Sequence, residues 1–130
     1  MQLHVRLFVS SFIFAASACG SSSTPTYGGG GGGGGGGCTS TSSQITIADF
    51  NFAPACTTVP LNTTVIWTNN GPAVHTTTSD VAGQWDSGNL DPAVNPTFQH
   101  KFTSAGTFTY HCTNHTYLYP SFVGTIKVTP

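Results

Sequence analysis

The chain is 130 residues long and sets three Lys and Arg against four Asp and Glu, a net charge of −1 with its five histidines neutral. That length suits one ordinary domain, and without a basic patch there is no electrostatic footprint for nucleic acid or for an anionic lipid surface. With only 5% of residues charged, solubility rests on the hydroxyls and amides of Thr, Ser and Asn, as in many exported β-proteins.

Residues 1–18 have the layout of a secretory signal peptide: Arg6 in a thin positive region, an apolar run from Leu7 to Ala16, and the small-residue cleavage site Ala16-Ser17-Ala18. The run is shorter than the about 20 residues that a permanent membrane helix needs. Cys19 follows directly, and Ala16-Ser17-Ala18-Cys19 resembles a bacterial lipobox, with Ala16 where Leu is usual. The resemblance implies that Cys19 is acylated and holds the protein to a membrane, facing the bacterial periplasm or the cell surface. Ordinary cleavage at the same bond, leaving Cys19 free, is the alternative. Residues 19–42 then read as the lipidation site and a flexible linker: Ser21 to Tyr27, followed by an unbroken glycine run from Gly28 to Gly37. Such a segment buries nothing and behaves as coil, with a reach of roughly 20–25 Å.

Residues 43–130 are strand and turn throughout, with no amphipathic helical period. Gln44 to Ala48 alternates polar and apolar, as a half-buried strand does, and Phe50 to Pro54 is expected to break it. Cys56 to Val59 is extended, Pro60-Leu61-Asn62 is turn chemistry, and Thr63 to Thr68 is a β-branched and aromatic strand. The turn formers Asn69-Asn70-Gly71-Pro72 end it, and Val74 to Thr78 is extended again. Asp80 to Pro96 is the least regular stretch, with Trp85 expected to pack beneath it. Thr97 to Phe102, Thr107 to Cys112 and Gly124 to Val128 alternate once more. About seven or eight short strands separated by turn signals predict an all-β sandwich.

Chemistry gathers near the end of the chain. Cys112 and His115 are three apart, so a thiolate and an imidazole can meet one metal from a single turn, and His75 supplies a second imidazole from the end of another apolar run. One Cys and two His form the trigonal set that copper takes in electron-transfer sites. Zinc also accepts Cys and His, but only three ligands are evident and copper binds more tightly in the Irving–Williams order. With Cys19 acylated and Cys112 a ligand, Cys38 and Cys56 are left, and an oxidising compartment favours pairing them. That bridge would close a loop of about 20 residues and contribute on the order of 3 kcal/mol.

The runs Asn69 to Thr76, Trp85-Asp86-Ser87-Gly88, Gly106 to His115 and Gly124-Thr125-Ile126 resemble the cupredoxins, closest to the plastocyanin, amicyanin and pseudoazurin group. The likeness covers about Gln44 to Val128, essentially all of the folded part. It implies a Greek-key β-sandwich holding one mononuclear type 1 (blue) copper on His75, Cys112 and His115, and a carrier of single electrons rather than an enzyme. Cys112 is followed by Thr113, so the His-Cys-His relay of multicopper oxidases is broken. Thr76 is expected beside the ligands, tying the two ligand loops together, while His111 faces away and His100 packs among phenylalanines.

One departure is informative. These proteins place an axial Met after the second His, and the sole methionine here is Met1. The axial position falls on Phe122 counted back from Gly124, or on Leu118 counted forward from His115, and neither side chain donates to copper. In one reading the copper is three-coordinate with an apolar axial neighbour, with or without a distant Val74 carbonyl, and its potential is high. In the other, Tyr117, Tyr119 or a backbone oxygen of the long 115–124 loop supplies the contact. The expected protein is a monomer whose redox partner proteins dock on an apolar patch at Tyr117, Leu118 and Tyr119. Copper sequestration or delivery, and a non-redox adhesion domain, are the alternative functions.

Overall fold

The computed structural model describes residues 37–130. The expected signal peptide, Cys19 and nearly all of the glycine run lie outside the described residues.

Eight strands form, β1 (Gln44–Ala48), β2 (Asn51–Ala53), β3 (Cys56–Pro60), β4 (Thr64–Asn69), β5 (Thr78–Ser79), β6 (Thr97–Lys101), β7 (Gly106–His111) and β8 (Val123–Thr129), and no helix is present among the described residues. Period-two alternation turns one face of each long strand inward: Ile45 and Ile47 from β1, Val65 and Trp67 from β4, Ile126 and Val128 from β8. The strands make two four-stranded sheets, ordered β2-β1-β4-β6 and β3-β8-β7-β5. The inward side chains of both sheets meet in one apolar cluster that includes Ile45, Ile47 and Trp67 from the first and Val59, Tyr110 and Ile126 from the second. The architecture is a β-sandwich.

Both sheets are mixed. β1 pairs with β4 and β3 with β8 in parallel, and the other pairs are antiparallel. A parallel pair needs a crossover, and the chain supplies one by passing from sheet to sheet between β2 and β7. That weave sends the connection after β4 and the connection after β7 to the same end of the sandwich. The disulfide Cys38–Cys56, with Cα atoms 5.1 Å apart, fastens the start of the domain to β3 at a separation within the ordinary span. Thr58 N–H donates to the Ser40 carbonyl alongside it at 2.8 Å.

One segment differs from the sequence expectation, and another is extended as expected without joining a sheet along its length. Phe50 to Pro54 does not simply interrupt the sheet: Asn51–Ala53 folds back on β1 as β2, with Phe52 opposite Ile47. Three residues with one buried side chain are too short to show a period. Val74 to Thr78 is extended, yet only Thr78 enters a strand, and His75 instead bridges Leu90 from the irregular stretch. Trp85 is buried and packs against Trp67 and Phe102. His100 stacks on Trp85 with ring centroids 5.2 Å apart and sets its edge against Phe102.

Gly124 lies opposite Tyr110 across the β7–β8 ladder, and a Cβ there would overlap the Tyr110 ring and hydroxyl. Tyr110 is fully buried and cannot swing out. Gly124→Ala should therefore lower stability by about 1–3 kcal/mol through overpacking, read as a lower midpoint in urea at unchanged slope. A second test uses pH. Burial holds the His100 imidazole below its usual value of 6.5, so the unfolded chain takes up that proton first. The contribution is present above about pH 6.5 and lost as pH falls toward the folded-state value. Replacing it with an aromatic ring, His100→Phe, should make the drop in Tm between about pH 7 and about pH 5 smaller than in the parent.

Candidate metal centre

The connection after β4 delivers His75. Asn69, buried at the end of that strand, braces it: its side-chain N–H donates to the Ala73 and Leu90 carbonyls at 2.8 Å each, and its oxygen accepts from Gly71 N–H at 3.0 Å. The His75 backbone then exchanges two hydrogen bonds with Leu90, 2.7 and 3.3 Å long. The position of the backbone that carries the imidazole is thus set by its own connection and by Leu90, 15 residues further on.

The connection after β7 delivers the other two donors. Cys112 follows the last residue of β7, and its carbonyl accepts from His115 N–H at 3.3 Å and from Thr116 N–H at 3.0 Å. The chain winds on, with Leu118 and Tyr119 N–H donating to the His115 carbonyl. It closes when Phe122 N–H donates to Tyr119 and Cys112 N–H to Phe122. Winding of this kind points the Cys112 thiol and the His115 ring to one side.

The two connections are stitched together. Thr113 N–H donates to the Thr76 hydroxyl at 2.9 Å, the two hydroxyls share a hydrogen bond of 3.1 Å, and the Asn114 side chain donates to the Val74 carbonyl at 3.3 Å. Thr76 N–H also points at Cys112 Sγ from 3.3 Å, drawing charge from the sulfur. Hydrogen bonding around such a sulfur is one of the levers on a site's redox potential.

The outcome is a tight triangle. His75 Nδ1 and His115 Nδ1 are 3.2 Å apart, and Cys112 Sγ lies 3.8 Å from the first and 3.5 Å from the second. One ion at ordinary metal–nitrogen and metal–sulfur lengths, about 2.1 and 2.3 Å, touches all three corners. Cys112 and His75 are fully buried, and His115 is half-buried. The other nitrogen of His75, Nε2, donates to Asp49 Oδ1 at 2.9 Å, which leaves Nδ1 with its lone pair free for the metal.

Aromatic rings wall the triangle. Phe122 is fully buried, with its ring centroid 5.1 Å from that of His75 and 6.4 Å from that of His115. Phe50 stacks on Tyr119 at 3.8 Å and meets His115 edge-on at 5.0 Å. Of the two axial positions weighed in the sequence, Phe122 lies against the ligand rings while Leu118 is turned outward and 69% exposed. The winding of the loop from His115 explains this, because it throws residues 117 and 118 to the outside. Tyr117 is 97% exposed, so its phenol is not directed at the metal. His111 faces away from the triangle and pairs with Asp80 at 2.5 Å. Burial raises the Asp80 carboxyl, but hydrogen bonds from Thr109 and His111 and the His111 charge outweigh it and hold the group below its usual range. Asp49, Phe50, Asn69 and Leu90 escaped the sequence reading, and the buried-face alternation that found the core carries no signal for them.

No family model matches the chain, and no curated protein sequence matches it. Solved structures do. A purple cupredoxin from Nitrosopumilus maritimus superposes with a TM-score of 0.56 at 26% identity, over 66% of this chain and 98% of that one. A variant of amicyanin in its Cu(I) form gives 0.56 at 27% identity, over 66% and 80% of the two chains. A plastocyanin from Dryopteris crassirhizoma gives 0.56 at 22% identity, over 66% and 99%, which speaks to the fold alone. The chain has the cupredoxin fold.

In this domain the two imidazoles and one thiol fit a single type 1 copper, both by donor chemistry and by the size of the triangle. The strongest ligand is the Cys112 thiolate, which must be deprotonated when metal binds. Cys112→Ser should abolish thiolate-to-Cu(II) charge-transfer absorption in the visible on copper addition. The sandwich should remain folded by circular dichroism, because the core around Cys112 loses only a sulfur for an oxygen.

Proposed function

We propose that this cupredoxin carries single electrons in the cell envelope and is not an enzyme. The observation that supports this best is the closed character of the site: two buried donors and one half-buried donor, walled by Phe122, Phe50 and Tyr119. Copper held there supplies a one-electron couple. The protein keeps the ligands in place by hydrogen bonds between loops, so little rearrangement accompanies a change of charge. Such a walled triangle offers no place for a substrate. His115, the ligand nearest the surface, is the proposed exit for the electron.

The exposed side chains of its loop include Tyr117, Leu118 and Val123, with Tyr119 partly covered by its stack on Phe50, beside the polar Thr113, Asn114 and Ser121. We read this patch as the docking face for redox partner proteins, held by apolar burial rather than steered by charge. Export through residues 1–18 and anchoring through acylated Cys19 complete the proposal.

At the axial face the proposed neighbour of copper is Phe122, with no Met sulfur. Loss of a sulfur donor and exclusion of water disfavour the more highly charged oxidised ion, which pushes the potential up. Titration with Cu(II) should give intense visible absorption, and voltammetry should be fast and reversible. Slow or irreversible voltammetry at an intact coloured site would favour copper storage instead. Phe122→Met should lower the potential, whereas Leu118→Met, on the exposed side of the loop, should leave it unchanged. The reverse order of effects would overturn the assignment of the axial face.

A further inference from the structure

Asp49 sits at the reversal between β1 and β2, outside every run that carries the likeness to known copper loops. Its carboxylate is 28% exposed and accepts a hydrogen bond of 2.9 Å from the Nε2 of His75, whose own side chain is fully buried. Among the described residues the ion-pair contacts are this one and His111–Asp80, so no Lys or Arg competes for Asp49. Gly71 lies directly against this carboxylate. A Cβ at that position would lie 2.5 Å from Asp49 Oδ1 and 3.2 Å from Asp49 N. The absent side chain at residue 71 is therefore the space into which the carboxylate fits. Asn69 holds Gly71 in that place by accepting its N–H.

We propose that Asp49 is a positioning and potential-setting residue for the copper site, seated by Gly71 and acting through His75. The proposal rests on the copper reading of the His75, Cys112 and His115 cluster. Its first action is geometric: by accepting from Nε2, the carboxylate fixes the tautomer and rotation of the ring, so that Nδ1 faces Cys112 and His115. Partners of this kind on ligating histidines raise ligand basicity and commonly change metal affinity about 10- to 100-fold. Its second action is electrostatic. A thiolate and two neutral imidazoles leave one net positive charge on an oxidised site and none on a reduced one. A carboxylate in contact with the ligand cancels the charge of the oxidised form and adds an uncompensated charge to the reduced form. Asp49 thus favours the oxidised state and opposes the upward pull of the apolar Phe122.

Three variants separate these actions: Asp49→Asn, which keeps an acceptor and removes the charge; Asp49→Ala, which removes both; and Gly71→Ala, which leaves Asp49 intact and displaces it. Each is loaded with copper and followed by visible absorption, by Cu(II) and Cu(I) affinity in competition with chelators, and by equilibrium potential. Asp49→Asn should keep the absorption band and raise the potential. Asp49→Ala should also weaken Cu(II) binding about tenfold or more, with a rise of about 59 mV for each tenfold by which the Cu(II) loss exceeds the Cu(I) loss. Gly71→Ala should resemble Asp49→Ala, and it keeps the proposal testable if Asp49→Ala does not fold.

Unchanged potentials and affinities in Asp49→Asn and Gly71→Ala would overturn the proposal. So would equal losses for Cu(I) and Cu(II) at unchanged potential, which would reduce Asp49 to a loop brace. Absence of the absorption band in the parent protein is a different failure, that of the copper reading itself.

Discussion

Two imidazole nitrogens and a sulfur, all seeking the same small volume and mostly cut off from water, are not an arrangement that a chain adopts without being held. The hold is the pair of hydrogen bonds between Thr76 and Thr113. Each threonine follows a ligand directly, so the link between them ties the separation of His75 from Cys112 to the length of a hydrogen bond. Removing either hydroxyl would leave a partly buried backbone donor or hydroxyl without its partner, a cost of about 1–3 kcal/mol. The rest of the domain brings the two threonines within reach. The parallel pairings and the passage of the chain between sheets place the ends of β4 and β7 on one rim. The common core beneath keeps that rim rigid.

The surroundings of the triangle pull in opposite directions, and that opposition defines the site. Phe122 and the Phe50–Tyr119 stack exclude water and supply no donor, which disfavours positive charge. Thr76 N–H, directed at the sulfur, withdraws electron density and acts in the same sense. Against them stands the proposed role of Asp49, a single carboxylate in contact with a buried ligand. Because all act on the same few cubic ångströms, their effects on the potential need not add. The two paths are nevertheless physically separate: one acts at the ligand ring faces and the sulfur, and the other through the far nitrogen of His75.

Much of this was legible in the chain, and the boundary of what was legible has a physical basis. Alternation in Gln44–Ala48, Thr63–Thr68 and Thr107–Cys112 revealed strands because one face of each is buried, and a sandwich follows from their number and spacing. Cys112 and His115 stood out because only a few side chains bind soft metals, and at three apart they share one turn. His75 stood out for its side chain and its neighbours. What the chain concealed were contacts made by ordinary residues across long separations. Asp49 looks like any exposed acid in a turn, and Asn69 like any turn former. Nothing within ten residues of Asp49 signals that a histidine nitrogen arrives 26 positions later. Phe50 to Pro54 reads as a break because its one buried residue, Phe52, is too few to show a period.

The glycines divide along the same line. Gly124 and Gly71 would each be read from sequence as turn or strand punctuation, yet neither has a positive φ among those that do. Both are required for space rather than for backbone freedom. Gly124 yields its side chain to the buried Tyr110 ring and so belongs to the core. Gly71 yields its side chain to a carboxylate and so belongs to the metal centre. A residue with no side chain can therefore take part in the chemistry of the copper site, by what it allows to approach. That is why the turn after β4, with its run of Asn69, Asn70, Gly71 and Pro72, is better understood as part of the site than as a connection to it.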